Sequence, residues 1–346
     1  MVHPNDHVNM AQSTNDVIPT AGKLTVLDLL APLEKALVRL EKELAKKAEE
    51  FDDVITMGRT QLQDAVPIRL GQVFHGYASM VSRDRKRIEK AHREMYTVNL
   101  GGTAVGTAIN VSDSYFYKIV PNLEKLTGYP LKQAEDLFDA TENLDGFVAV
   151  SGVVKTCAVD LSKMCNDLRL MSSGPKTGFG EINLPAKQNG SSIMPGKVNP
   201  VIPEVVSQVA FHIVGHDTTI TMAAEAGQLE LNAFEPVVFC NLFESITTLE
   251  KAVDTLIVNC ITGITANCKD LMESSAGIAT ALCPHIGYKA SATIAKTAVK
   301  TGKSVRELVL EQGIMTEKEL EEVLDPYLMT EVGEERKEDE ARRKAC

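Results

Sequence analysis

Apolar residues recur along this 346-residue chain at helical spacing over long stretches. Between 143 and 171, Phe147, Val150, Val154, Cys157, Leu161, Met164 and Leu168 follow in steps of three and four, and Leu242, Ile246, Leu249, Val253, Leu256 and Cys260 repeat the pattern. Such steps put side chains on one face of an α-helix. A third run, Leu33, Leu37, Leu40, Leu44, Ala48 and Phe51, predicts a helix over about 33–51 entered through Pro32, and further helices are predicted near 69–97 and 203–225. The flanks of the 143–171 stretch are apolar too (Val148, Val153, Ala158, Val159), so that helix is predicted to be buried on more than one side. Together these runs predict an all-α long-helix bundle, and the breadth of the apolar faces asks for neighbours that an oligomer core would supply.

Alternating runs are few, aromatics make up 5% of the chain and Trp is absent, so strand signals are weak. After about residue 267 the pattern shortens: a turn-rich CPHIGY at 283–288, a helix start at GKSVREL near 302, then the charged EERKEDEARRK. The expected division is a helical-bundle domain over 1–267 and a small helical C-terminal domain over 268–346 with a frayed end. No internal repeat is visible.

Charge narrows the classes of partner. The formal net charge is -11 and no basic run is denser than RDRKR at 83–87, which argues against nucleic acid or an anionic membrane and leaves small-molecule chemistry or protein partners. No stretch approaches eighteen apolar residues and MVHPNDHVNM lacks the features of a signal peptide, so a cytoplasmic protein is expected. The seven cysteines are scattered without a CxxC pair, which favours reduced, buried thiols.

Several apparent motifs carry no chemistry. GGTAVG at 101–106 lacks the GxGxxG spacing and a surrounding βαβ unit, so close packing or a site-lining turn is expected. GKS at 302–304 has Thr297 where a phosphate loop needs glycine. His212 and His216 are spaced i, i+4 but lack the glutamate and third ligand of a zinc helix, so no metal is assigned to them.

Three polar segments remain: HPNDHVNMAQSTNDVIPTA (3–21), MGRTQLQDAVP (57–67) and GSSIMPGKVNP (190–200). Each alone reads as a cap or a turn, with Ser13 or Asn15 capping a helix and Thr60 in a turn. Together they supply hydroxyls, amides and one lysine, the groups that hold a small dicarboxylate: lysine neutralises a carboxylate while Ser, Thr and Asn donate to its oxygens.

GSSIMPGKVNP resembles the signature of the fumarase/aspartase superfamily, and HPNDHVNMAQSTND and GRTQLQDAVP resemble its two other active-site regions, in the right order and with similarity running from residue 3 to about 330. QSTNDVIPTA, TMGRTQLQDAVP, TMAAEAGQLELNAFEPV and ALCPHIGY are worded like the aspartase branch; HPNDHVNM reads more like a fumarase. The resemblance implies a central five-helix bundle, a homotetramer with a twenty-helix core, and active sites drawn from three subunits. It implies elimination of ammonia from L-aspartate to give fumarate, with Ser191 as general base and Lys197 close by favouring its alkoxide. Lys197 and Asn199 would hold the α-carboxylate with Thr60 and Gln61, Ser13, Thr14 and Ser192 the side-chain carboxylate, and Asn15 the amino group. No cofactor and no metal are implied. Fumarases carry histidine in place of Gln61, paired with a glutamate matching Glu204; Gln61 cannot titrate, which disfavours the alternative of malate/fumarate chemistry. The resemblance also implies a first domain of well over a hundred residues ahead of HPNDHVN, carrying a substrate-contacting threonine, which this sequence lacks. Weakened or absent catalysis is therefore expected, with an inactive helical assembly as the further alternative.

Overall fold

The computed structural model describes residues 1–330 except 189, 191, 192, 195 and 268–274; the charged tail from 331 lies outside the described residues. The elements run α1 (Thr14–Glu50), β1 (Ile55–Thr60), β2 (Gln63–Arg69), α2 (Leu70–Ala91), β3 (Thr97–Val98), α3 (Asp113–Thr127), β4 (Lys132–Gln133), α4 (Asp139–Glu142) and α5 (Asp145–Met171). After β5 (Ile182–Asn183) come α6 (Val201–Glu225) and α7 (Glu235–Asn259). The chain ends in β6 (Thr265–Ala266) and five short helices, α8 (Cys283–Ile286), α9 (Tyr288–Thr301), α10 (Val305–Glu311), α11 (Glu317–Val323) and α12 (Pro326–Thr330). The strands form three two-stranded sheets: β1/β2 and β5/β6 antiparallel, β3/β4 parallel.

The predicted helices at 143–171, 203–225 and around 242–260 are α5, α6 and α7, and the 69–97 stretch is α2 followed by a short 3-10 turn. The helix expected from Pro32 onward starts much earlier, at Thr14, and runs 37 residues through Pro19 and Pro32. Two causes override the prolines. Val26, Leu27, Leu30, Leu33, Leu37, Leu40 and Leu44 are all fully buried, an apolar face continuous across Pro32. Pro19 has no N–H for the carbonyl four residues back, and that carbonyl, Asn15 O, accepts instead from Asn99 Nδ2 at 2.9 Å.

The chain forms two compact units. The first comprises 1–43, 78–169 and 185–263. Its interior holds the buried stripes of α1, α5, α6 and α7, including Leu33 and Leu37, Val150, Val154 and Leu161, Val206 and Ile213, and Leu242, Ile246 and Leu249. A Cβ on Gly22 would fall 2.4 Å from the Phe239 ring, so the α1 backbone lies directly on that side chain of α7. Asp217 of α6, buried in this interior, accepts from Ser151 at 2.8 Å and from Lys155 at 2.5 Å.

The second unit comprises 44–77, 170–184 and the chain from 264 on. Its core joins Met57 of β1 to Ile278, Leu282, Ile294, Val305, Leu308, Val309, Leu320 and Leu324. Ser304 and Thr316 open α10 and α11 with capping boxes to Glu307 and Glu319, so GKS is a helix cap. The domain boundary expected at 267/268 adjoins residues outside those described. Among the described cysteines, Cys157, Cys165 and Cys260 are buried and free, as expected, while Cys240 is exposed. No helix among the described residues is long and apolar enough to cross a membrane.

One buried acid in the first unit makes stability depend on pH. Asp84 of α2 accepts from Arg87 at 2.6 Å, its second oxygen has no partner, and Arg87 also reaches Asp160 of α5 at 3.6 Å. Burial, with the Asp160 carboxylate beside it, pushes the Asp84 carboxyl up to about 6 against the pull of Arg87. A folded value above the unfolded one gives stability that is present below about pH 4 and lost as pH rises through about 6. Asp84→Asn replaces the repelling charge with a donor for Asp160, and we expect it to stabilise the protein by about 1–2 kcal/mol more at pH 8 than at pH 4, read from chemical denaturation at the two pH values.

Candidate active site

The first polar segment becomes the start of α1 and is clamped to the glycine turn at 101–106. Asp16 is completely buried, and its carboxylate accepts three backbone N–H bonds: from Ser13 at 2.9 Å, Gly101 at 3.0 Å and Thr103 at 3.1 Å. Asn15 donates from Nδ2 to Ala104 O at 2.7 Å. Asn99 closes the arrangement by donating to both Asn15 O and Thr141 Oγ1, at 2.9 and 3.0 Å. The turn itself is held in the left-handed region at Gly101, Thr103 and Gly106. At Gly106 glycine is obligatory, since a Cβ there would lie 2.6 Å from Phe138 N and 2.7 Å from Leu137 C. GGTAVG is thus a packing turn whose amides serve Asp16, as the absence of a nucleotide motif implied.

This clamp leaves definite atoms for a ligand. Ser13 Oγ accepts the Asn15 N–H at 3.2 Å, so its hydroxyl proton is available to donate. With its amide nitrogen held by Ala104, Asn15 offers its Oδ1, which takes a 3.2 Å bond from the exposed Thr14 hydroxyl. Further along α1, Lys23 donates to Thr97 O at 2.6 Å and burial pushes its ammonium down. Burial also pushes the Glu235 carboxyl up to about 7, with Lys23 opposing the rise.

The loop before α6 belongs to the same unit. A Cβ on Gly190 would fall 2.1 Å from Lys197 O, so the two ends of the loop meet and only glycine permits it. Lys197 is exposed and Asn199 half-buried, and Asn199 O accepts from Val201 N at 2.9 Å as α6 begins. Ser191 and Ser192 lie outside the described residues. Glu204, in the first turn of α6, pairs with Arg169 of α5 at 3.5 Å. Among the described residues no hydrogen bond joins Lys197 or Asn199 to Ser13, Thr14 or Asn15.

Thr60 and Gln61 belong to the second unit, at the tip of the β1/β2 hairpin. Thr60 pairs with Gln63, leaving Gln61 and Leu62 as a two-residue turn with φ of 53° and 61°. Both signs fit a type I′ turn, where Asn-Gly is the low-cost choice, so two bulky side chains here store strain. Arg59 anchors the tip from below: it donates to Glu181 at 2.8 Å, stacks on Phe179 at 4.3 Å and faces Asp64 at 3.7 Å, while Thr56 donates to the same Glu181 oxygen at 3.0 Å. The polar 57–67 segment is therefore a strained hairpin whose turn follows Thr60.

Residues 1–215 match the family described as Lyase, and residues 278–331 the one described as Fumarase C C-terminus. The chain belongs to the fumarase/aspartase superfamily. Relatives named aspartate ammonia-lyase include those of Bacillus subtilis, 51% identical over 95% of this chain and 70% of the relative, and Pseudomonas aeruginosa, 53% identical over the same shares. That of Escherichia coli is 49% identical over 93% of this chain and 68% of its own length. Among solved structures, the fumarate lyase:delta crystallin from Brucella melitensis bound to cobalt is 48% identical, with a TM-score of 0.92 over 96% of this chain and 72% of that one. A class II fumarase from Schistosoma mansoni is 35% identical at a TM-score of 0.91, over 95% and 73%. Lyases on both sides of the superfamily thus share the fold described above.

Sequence reasoning missed Asp16, Asn99 and Glu181, which touch no expected ligand position but hold the residues that do. The available signal was an acid directly after Ser-Thr-Asn at a helix start, a position ordinarily read as a cap. We expect Asp16→Asn, which turns one acceptor oxygen toward N–H donors as an amide, to cost about 2–4 kcal/mol and to unlock the 101–106 turn, seen as faster amide exchange at Gly101 and Thr103.

Proposed function

We propose that this protein is an ammonia-lyase that converts L-aspartate to fumarate and ammonia. The observation that carries the reading is identity of about half, over 93–96% of this chain and 68–72% of each relative, to relatives that bear that name. The site chemistry agrees. Removing the weakly acidic proton next to the side-chain carboxylate builds a doubly charged aci-carboxylate, and stabilising that charge is the main demand on the enzyme. Ser191 takes the proton, activated by loop amides and by Lys197; Ser13, Thr14 and Ser192 hold the side-chain carboxylate, and Lys197, Asn199, Thr60 and Gln61 the α-carboxylate. An ammonium has three donors and no acceptor, so Asn15 Oδ1, an acceptor whose second lone pair is not taken by the Thr14 hydroxyl, is the atom suited to it. Gln61 cannot serve as a titrating partner for water, which separates this site from a hydratase. No organic cofactor enters the scheme.

The active form we propose is a homotetramer in the cytoplasm, each site drawing Ser13 to Asn15, Thr60 to Gln61 and the 190–200 loop from different subunits. Support comes from α6, whose inward face is buried while its outward face exposes Phe211 and Met222, each 67% accessible, beside Val205 and Val214. Apolar residues at these spacings on the solvent side of a buried helix call for another apolar surface.

Two measurements test this. Fumarate should appear, by its ultraviolet absorbance, when the protein is given L-aspartate and not when it is given malate. Ser191→Ala should lower kcat by about 10²–10⁴-fold, and unchanged turnover in that variant would remove Ser191 as the base. Phe211→Glu should break the assembly in sedimentation and abolish turnover with it, whereas a dissociated variant of full activity would rule out shared sites.

A further inference from the structure

We infer that Thr103, in the glycine turn between β3 and α3, is a further substrate-binding residue whose hydroxyl accepts from the amino group of the bound amino acid, beside Asn15 Oδ1. The class of ligand rests on the ammonia-lyase reading; the observations at Thr103 do not.

Two local costs meet at this residue. Its φ is 56°, in the left-handed region where a β-branched side chain is strained, whereas the turn's other positive-φ positions, Gly101 and Gly106, are glycines. Thr103 is also 4% exposed, and its Oγ1 is buried with no hydrogen-bond partner among the described residues. A buried hydroxyl in that state has lost its hydration without replacement. Glycine would remove both costs and keep the backbone amide that serves Asp16. A threonine held here against both is explained by a partner for its hydroxyl that the fold itself does not supply.

The backbone of the turn indicates which partner. Thr103 N donates to the Asp16 carboxylate at 3.1 Å, and the carbonyl of the next residue, Ala104, accepts from Asn15 Nδ2 at 2.7 Å. Thr103 is therefore fastened to the start of α1 on both sides, one peptide unit (about 3.8 Å between Cα atoms) from the residue that orients the Asn15 amide. That orientation leaves Asn15 Oδ1 as an acceptor. The Asp16 carboxylate is committed to three backbone amides, so the nearby charge is already satisfied and a cation must be held by neutral oxygens. An ammonium carries three donors, of which Asn15 Oδ1 takes one and Thr103 Oγ1 a second. The glycine turn then both packs against α1 and lines the site.

The test compares full-length wild type, Thr103→Val and Thr103→Ser for binding of L-aspartate and of succinate, the same dicarboxylate without the amino group, by calorimetry, with fumarate formation and ligand-free melting temperature alongside. We expect Thr103→Val to weaken aspartate binding about 10–100-fold while leaving succinate affinity unchanged, and to raise KM more than it lowers kcat. Thr103→Ser, which keeps the hydroxyl, should restore binding. Losing an unpartnered buried hydroxyl should leave the melting temperature of Thr103→Val at or above that of the wild type. Unaltered aspartate affinity in Thr103→Val, or equal losses for both ligands, overturns the inference. A lower melting temperature in that variant does the same, since the hydroxyl would then serve the fold or a subunit contact. A wild type that binds aspartate without forming fumarate defeats the lyase reading and leaves the binding comparison to decide Thr103; a wild type that does not bind aspartate overturns the inference.

Discussion

The start of α1 in the first unit depends on one buried carboxylate. Asp16 has no contact with water, and a charge so placed is tolerable only because three backbone amides point at it. Those amides come from the residue before α1 and from a turn more than eighty residues away, so satisfying the acid is the same event as docking the turn. Pro19 contributes by omission: the carbonyl it cannot bond is taken by Asn99, which ties in Thr141 as well. Ser13, Thr14 and Asn15 stand on this clamp, and their free atoms are the ones the clamp leaves unused. Precise positioning of small polar groups is what stabilising a developing carboxylate dianion requires.

Elsewhere the fold stores backbone strain at a hairpin tip. The hairpin tip puts Gln61 and Leu62 in left-handed backbone that favours glycine, and the Arg59, Glu181 and Phe179 contacts beneath it hold that conformation. At the 190–200 loop, Gly190 lets the chain return onto Lys197, closing the loop at its base. At the hairpin a rigid foundation carries a short exposed tip.

Helix α6 has two lives in the same structure. One side packs into the bundle against α7, and the other offers Phe211 and Met222 to the outside. His216 sits between these faces, bonded to Ser245 of α7 on one side and stacked near exposed His212 on the other.

The amino-acid sequence by itself determined the helices α5 and α7, because an apolar repeat in steps of three and four has only one regular conformation that buries it. It also determined the superfamily, through three polar segments worded and ordered as in its relatives. Three things it did not decide. The start of α1 was hidden behind Pro19 and Pro32, whose cost is local and whose compensation, a side chain at position 99 and a long buried stripe, is not. The hairpin at 55–69 lacks the Asn-Gly signal of its turn, since the strain there is held by Glu181, far along the chain. The importance of Asp16 was invisible because its partners are backbone amides, which every residue carries and no sequence distinguishes; only the tertiary structure brings Gly101 and Thr103 to it.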